Sequence, residues 1–202
     1  LRDHQRYVGA LTILMLAVAA SSRLRFPQGT RSVENPEKKI GDAEAFKLFL
    51  GGGINRQLFD NILAPREGSS GVIINFRDKP VALEHILYKY YRCGLVHEAE
   101  LPADVDFKRP EDMGARNMTF GRVDRPARIG WSDNGLTLDT GWLDILIDIV
   151  VQAPVNGEEF GIEHFDFVSR AQDATAFLNV LAEKYDTSLG RLNMLLLAAC
   201  IL

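Results

Sequence analysis

The sequence predicts a mainly α-helical protein, a helical bundle that carries a small β-hairpin or meander at about residues 117–139. Three observations support this fold class. Apolar residues are nearly continuous from Arg6 to Leu24 and are rich in Ala, Leu and Met, which favour helices. The segment from about Val81 to Glu98 has apolar residues at helical spacing. Short apolar segments separated by turn signals occur between 117 and 139, as in a hairpin.

Length and composition favour one globular domain over residues 1–202. The hydrophobic fraction is 47% and the charged fraction is 25%, which are ordinary values and indicate neither disorder nor a fibrous protein. Cys93 and Cys200 are too few for a disulfide framework, so a reducing compartment fits best. We therefore expect a cytoplasmic protein.

The first helix should end near Phe26-Pro27. Its apolar run, Val8 to Ala20, resembles a signal peptide because a basic flank precedes it, but Asp3 and His4 weaken that interpretation. The run is also shorter than a membrane span needs. We interpret the segment as a buried helix and expect no membrane contact.

A short second helix should begin at the capping residue Asp42 and should end at Gly51-Gly52-Gly53. The glycines could also form a phosphate cradle, but neither Gly-Lys-Ser nor Gly-Lys-Thr follows them and no strand precedes them. After a Gly-Ser-Ser-Gly turn at 68–71, Val72 to Phe76 is either a strand or an irregular segment. Asp78-Lys79-Pro80 then provides the cap and the proline of a helix start, so the next helix should span about Val81 to Glu98.

A loop should connect Pro102 to Pro110, because this stretch carries acids and prolines. The strands of the hairpin or meander should be Met118–Val123, Ala127–Trp131 and Leu136–Asp139. Thr140 or Asp139 should cap the helix that follows. The remaining predicted helices are Trp142–Gln152 and the segments near Ser169–Tyr185 and Ser188–Ile201.

The third helix carries the motif Arg92-Cys93-Gly94-Leu95-Val96-His97. It resembles the motif of HEPN proteins (higher eukaryotes and prokaryotes nucleotide-binding domains), in which an Arg, four to six residues and a His lie near the end of a helix. The order of the helices is similar as well. The resemblance implies a helical bundle, often a two-fold dimer, in which some members cleave RNA without metal. In active members a polar residue often follows the Arg, whereas Cys93 stands there in this chain.

The chemistry of metal-free RNA cleavage explains the two residue types. A group must take the proton of the 2′-hydroxyl, and the neutral imidazole of His97 suits that step near neutral pH. A second group must stabilise the charged phosphate intermediate, which the guanidinium of Arg92 can do with two hydrogen bonds. DNA lacks the attacking hydroxyl and should resist this route.

Helical geometry places the two residues apart. At about 100° per residue, His97 shares a stripe with Leu83 and Leu87, whereas Arg92 lies on the opposite side. The residues could converge if the helix ends near Gly94 or if a symmetric partner supplies the Arg. In the structural alternative, His97 is a hydrogen-bonded core residue and Arg92 is merely solvated.

Charge indicates where RNA would bind. The net charge is −4, but residues 1–128 hold 20 of the 23 Lys and Arg against 16 acids, so a phosphate-binding surface should lie in that part. An ordinary solvated hairpin is the alternative for the basic stretch from Lys108 to Arg128. The candidate RNA-binding residues are Lys89, Arg116, Arg122, Arg125 and Arg128.

Two other classes of function stay open, a non-catalytic helical module for protein association and a small-ligand carrier. The four histidines show no metal-ligand spacing, so we expect neither a metal nor another cofactor. The expected partners are a second copy of the chain, RNA and an antitoxin-like protein.

Overall fold

The computed structural model describes residues 2–59, 68–122, 125–132 and 135–160. Within these residues, six strands form two sheets among the helices, so the protein is mixed α/β. The predicted mainly α, HEPN-like helical bundle is therefore wrong. Ala127, Ile129 and Leu138 are almost fully buried, so the strands that we expected as a small insertion are part of the main core.

Two long helices begin the chain. α1 spans Arg2–Arg25 and α2 spans Asp42–Phe59. Leu11, Met15 and Val18 of α1 are fully buried and recur at helical spacing, so one face of α1 packs on the core. The helices predicted near residues 169–185 and 188–201 lie outside the described residues.

The three consecutive glycines lie inside α2, so the prediction that they end the helix is wrong. A Cβ at Gly51 would lie 2.2 Å from the carbonyl oxygen of Gly68, and one at Gly53 would lie 2.5 Å from Cγ2 of Ile149. Any side chain at these two positions would prevent that approach. The close packing offsets the helix propensity that each glycine loses, about 1 kcal/mol relative to Ala.

A β-hairpin follows α2, with β1 at Ile73–Phe76 and β2 at Lys79–Ala82. The prediction that Asp78-Lys79-Pro80 caps a helix is wrong, because Arg77 and Asp78 adopt φ values of 54° and 58°, as in a type I′ turn. The helix that was predicted from about Val81 begins at Leu83. The guanidinium of Arg77 lies 4.7 Å from the ring centroid of Tyr90 and forms an ion pair with Asp104. We call Arg77, Tyr90 and Asp104 the Arg77 clasp.

The second sheet has the strand order β3-β6-β5-β4. Its strands are β3 at Val105–Lys108, β4 at Asn117–Arg122, β5 at Arg125–Ser132 and β6 at Gly135–Asp139. β4, β5 and β6 form an antiparallel meander, whereas β3 pairs with β6 in parallel. The loop predicted between Pro102 and Pro110 thus contains a strand, because residues far along the chain complete its hydrogen bonds.

Helix α4 spans Gly141–Val151 and packs Trp142 and Leu146 into the core. Asp139 is fully buried, and its carboxylate accepts hydrogen bonds from the backbone N–H groups of Gly141 and Arg128 at 3.1 and 2.9 Å. Asp139, one of the two predicted caps, therefore satisfies a free N–H at the start of α4. The remaining short elements are α5 at Gly157–Phe160 and 3₁₀ turns at Pro110–Asp112 and Pro154–Asn156.

Among the described helices, α1 contains one segment, Gln5–Arg25, that is long and apolar enough to cross a membrane. The prediction that this region is too short for a membrane span is therefore wrong on length, because the apolar helix extends beyond Val8–Ala20. The core helices of soluble proteins and signal sequences share these features. In this structure 28% of the apolar window of α1 is buried.

Glu44 anchors the loop before α2, and replacing it should destabilise the protein in a pH-dependent way. Its carboxylate accepts hydrogen bonds from the hydroxyl of Ser32 and the N–H groups of Val33 and Glu34. Burial raises the pKa of Glu44, but these hydrogen bonds outweigh burial, so the pKa is lowered from 4.5. Glu44→Gln should therefore lower the free energy of unfolding by about 1–2 kcal/mol at pH 7.

A lowered carboxyl pKa stabilises the folded state above the unfolded pKa, and this contribution is lost as the pH falls through the folded value. Urea denaturation at several pH values should show the wild type and Glu44→Gln converging as the pH falls below 4.5. A difference that is unchanged down to pH 3 would contradict this role.

Candidate functional site

The segment that carries the motif begins as an α-helix and then widens. α3 spans Leu83–Ile86, and two π-helical segments follow at Leu87–Arg92 and Gly94–Glu98. A π-helix closes its hydrogen bonds between residues five apart, is rare, and often occurs at functional sites. Residues spaced by five therefore become neighbours on its surface.

The guanidinium of Arg92 and the imidazole of His97 contact each other within one chain. Nη1 of Arg92 lies 3.1 Å from Nε2 of His97. Because a guanidinium can only donate, Nε2 accepts, and the ring hydrogen of the neutral imidazole is on Nδ1. The expectation that the two residues lie on opposite sides of the helix is wrong, because it assumed α-helical rotation throughout.

The two members of this pair, which we call the Arg92–His97 pair, differ in exposure. His97 is exposed and Arg92 is partly buried. The structural alternative of a core histidine is therefore wrong. A second copy of the chain is not needed to bring the guanidinium to the imidazole.

Neighbouring side chains position Arg92. Its Cζ lies 5.6 Å from the ring centroid of Tyr88, which in turn packs on Phe46 at 5.3 Å between centroids. Nη1 also lies 3.9 Å from Sγ of Cys93, while Nε is buried and has no hydrogen-bond partner among the described residues. No described carboxylate forms an ion pair with Arg92, so its charge is available to an anion.

Burial and the neighbouring thiol of Cys93 both change the pKa of Tyr88. Burial raises the pKa of the Tyr88 hydroxyl, Cys93 raises it further, and the positive charge of Arg92 lowers it. Tyr88 is therefore neutral at physiological pH and offers Arg92 an uncharged aromatic face. Sequence reasoning missed this supporting role of Tyr88.

The motif helix ends after Glu98, and the chain that follows it returns close to the backbone of Gly94. A Cβ at Gly94 would lie 2.8 Å from the carbonyl oxygen of Glu100 and 3.1 Å from Cδ of Pro102. Ala99 adopts the left-handed conformation, with a φ of 60°, and caps the second π-helical segment. The returning chain thus packs behind Gly94 and leaves His97 at the surface.

Lys89 and His85 lie on the same helix, before the Arg92–His97 pair. Lys89 is exposed, and its Nζ lies 5.4 Å from the ring centroid of Tyr90. Burial lowers the pKa of His85, and the charges of Lys47 and Lys89 lower it further. The carboxylates of Glu84 and Glu34 act on His85 in the opposite direction, and Lys47 forms an ion pair with Glu34 at 3.5 Å. Lys89, which sequence reasoning identified, is therefore the cation of this region that pairs with no described carboxylate.

The predicted RNA-binding arginines of the second sheet do not act as one free patch. Arg128 forms an ion pair with the buried Asp139 at 3.3 Å, and Arg125 forms one with Asp148 at 3.5 Å. Arg116 is exposed just before β4, and Arg122 is the last residue of β4.

Tyr91 is part of the core rather than of the site. Its side chain is fully buried, and its hydroxyl donates to the carbonyl oxygen of Asp106 at 2.8 Å. Burial raises the pKa of this hydroxyl well above its usual range. Tyr88 and Tyr90 are partly buried, so each keeps some exposed surface.

The described residues contain no group of three or more His, Cys, Asp or Glu that could hold a metal ion. The arrangement that they do form is a guanidinium beside an imidazole. Such a pair can bind a phosphate and accept a proton from a neighbouring hydroxyl.

Comparison with known proteins gives one match. A family model described as Rv1289 matches residues 1–178. The chain belongs to the Rv1289 family. The match to Rv1289 includes both long helices, the two sheets and the Arg92–His97 pair. No curated protein and no solved structure matches this chain.

Proposed function

We propose that this member of the Rv1289 family binds RNA and cleaves it without metal at the Arg92–His97 pair. The observation that carries the proposal is the contact of 3.1 Å between Nη1 of Arg92 and Nε2 of His97 at the protein surface. It unites a phosphate-binding fork and a proton acceptor within the reach of one nucleotide. The proposal therefore rests on the side chains and does not need a HEPN fold.

In the free protein, Arg92 donates a hydrogen bond to Nε2 of His97, the nitrogen that would accept the proton in catalysis. An RNA phosphate would compete for the guanidinium, because hydrogen bonds between two charged groups are stronger than one to a neutral imidazole. Arg92 would then bind two phosphate oxygens, and Nε2 of His97 would be released. Substrate binding would thus prepare the base for its proton.

The reaction that follows is an intramolecular displacement at phosphorus. Nε2 of His97 takes the proton of the 2′-hydroxyl, and the 2′-oxygen forms a bond to the adjacent phosphorus. The bond from phosphorus to the 5′-oxygen breaks, and that oxygen takes a proton from water. Arg92 stabilises the additional negative charge on the phosphate oxygens. The products are a 2′,3′-cyclic phosphate and a 5′-hydroxyl.

The exposed Lys89, which precedes Arg92 on the motif helix, supports an RNA path that leads to the pair. Lys89 would contact a neighbouring phosphate, and the exposed part of Tyr88 or Tyr90 would stack on a base. Such phosphate contacts are weakened by salt, so binding should weaken as salt rises. The proposal places the protein in the cytoplasm, where the thiol of Cys93 would stay reduced.

The test uses an RNA oligonucleotide and a matched strand with 2′-deoxyribose at the cleaved nucleotide, both in excess EDTA. We expect cleavage of the RNA to a 2′,3′-cyclic phosphate and no cleavage of the matched strand at that position. A protein preparation of His97→Ala, purified in parallel, controls for contaminating ribonuclease. Cleavage that persists with the 2′-deoxy nucleotide, or that this variant retains, would contradict the mechanism.

A non-catalytic association module is the second candidate function. It is favoured by the apolar side chains that α1 exposes, Ile13, Leu16 and Leu24, which are 68%, 48% and 59% accessible. A second copy of the chain or an antitoxin-like protein would cover this face. RNA that stays intact with the wild type, together with a stable dimer in light scattering, would favour this candidate.

A further inference from the structure

A cavity of about 490 Å³ lies beside the glycine segment of α2, outside the Arg92–His97 pair. Its walls come from the end of α1, from α2, from the loop at 68–69 and from the chain at 153–155. The lining residues that the inference uses are Arg25, Phe26, Phe49, Gly52, Asn55 and Arg56. The volume falls within the range of about 300–1,000 Å³ that is usual for small-molecule sites.

The charge of the cavity is positive. Arg25 and Arg56 line it, and no Asp or Glu is among the lining residues that the structure describes. Neither arginine forms an ion pair with a described carboxylate, and Arg25 instead lies 5.4 Å from the ring centroid of Phe26. Two guanidinium groups that face one concave, partly apolar surface favour an anion.

A buried acceptor also lines the cavity. Asn55 is fully buried, and its Nδ2 donates to the carbonyl oxygen of Ser70 at 3.2 Å. No described group donates to its Oδ1, although buried polar atoms are rarely left without a partner. Asn55 thus contributes a polar side chain to the α2 wall of the cavity.

Packing of the fold does not require a glycine at position 52. A Cβ at Gly51 or Gly53 would overlap neighbouring atoms, whereas a Cβ at Gly52 would meet Cα of Gly68 at 3.6 Å, an ordinary contact. Packing therefore explains two of the glycines and does not explain the third. The absence of a side chain at Gly52 widens the cavity at its α2 wall.

We propose that this cavity binds a small organic anion in which a carboxylate or phosphate is attached to an apolar or aromatic body. Arg25 and Arg56 bind the anionic group, and the ring of Phe49 contacts the body. This site is independent of the proposed RNA chemistry.

The test measures binding of 8-anilinonaphthalene-1-sulfonate, an aromatic anion that becomes fluorescent in apolar sites. We expect saturable binding to the wild type that phenyl phosphate or benzoate displaces and that benzyl alcohol, which is uncharged, does not. The double variant Arg25→Gln with Arg56→Gln should weaken binding by about tenfold or more, because both charges are lost. Gly52→Leu should abolish it by filling the cavity.

Two matched controls locate the binding. Lys79→Gln removes one positive charge from an exposed residue of β2 that does not line the cavity, and it should bind as the wild type does. His97→Ala should also bind normally, which separates this site from the RNA site. If Gly52→Leu does not fold, as judged by circular dichroism, the double arginine variant decides.

Affinity in the double arginine variant equal to that of the wild type would overturn the proposal. Equal affinity for the neutral analogue N-phenyl-1-naphthylamine would also overturn it, because binding would then need no anion.

Discussion

Replacing His97 with Ala should lower the rate of RNA cleavage by about 10²–10⁴-fold, the usual contribution of a positioned general base. The same change should alter the free energy of unfolding by less than about 0.5 kcal/mol, because His97 is exposed and contacts Arg92 at the surface. Single-turnover rates with excess protein would measure the first quantity, and urea denaturation the second. A loss of rate without a loss of stability would distinguish chemistry from unfolding.

Arg92→Lys tests the other half of the pair. Lys keeps the charge but lacks the planar fork, so RNA affinity should stay within a few-fold while the cleavage rate falls by about 10²–10³-fold. Arg109→Ala is the matched control, because Arg109 is an exposed arginine that pairs with Asp112 away from the motif. It should cleave at the wild-type rate. Wild-type rates in both His97→Ala and Arg92→Lys would refute the proposed site.

Gly51→Ala should destabilise the protein by about 2–3 kcal/mol, because the new Cβ would overlap the carbonyl oxygen of Gly68 at 2.2 Å. Either α2 or the loop at 68–70 would have to move. Gly52→Ala is the control one residue later, and it should stabilise the protein by up to about 1 kcal/mol through helix propensity. Urea denaturation would show whether the free energy of unfolding falls in Gly51→Ala and rises in Gly52→Ala.

Both positions are glycines in the same helix. The free energy of unfolding should therefore change in opposite directions only because the two Cβ atoms would point at different surroundings. Equal effects of the two variants would show that the loop does not press on Gly51.

The long helices were the elements that local sequence could predict. Leu11, Met15 and Val18 in α1 and Trp142 and Leu146 in α4 are buried at helical spacing, and that periodicity is visible without any tertiary information. The glycines of α2 were misassigned for the opposite reason. Helix propensity disfavours glycine, and only the approach of Gly68 and Ile149 explains why α2 continues through the segment.

The sheet could be predicted only where its strands pair with near neighbours. The meander of β4, β5 and β6 follows local turn signals, whereas β3 pairs with β6 across the whole meander. The turn at Arg77-Asp78 lacks the Asn-Gly or Asp-Gly sequence typical of type I′ turns, and contacts with Tyr90 and Asp104 hold it instead. Contacts between residues far apart along the chain leave no pattern in the local sequence from which they could be predicted.

The residue types of the candidate site could be found in the sequence, but their contact could not. Arg92 and His97 stand five residues apart, a spacing that separates side chains on an α-helix and joins them on a π-helix. Neither composition nor periodicity signals the wider helix. The close approach behind Gly94, where a Cβ would lie 2.8 Å from the carbonyl oxygen of Glu100, is a separate feature of this segment.

The Arg77 clasp also has a mechanical consequence. Tyr90 belongs to the helix that carries Arg92, Arg77 belongs to the hairpin turn, and the carbonyl oxygen of Asp104 accepts from the N–H of Leu136 at the start of β6. Helix, hairpin and sheet thus meet at one point. If the helix that carries Arg92 shifts when a substrate binds, this junction either breaks or transmits the displacement to the sheet that contains β6.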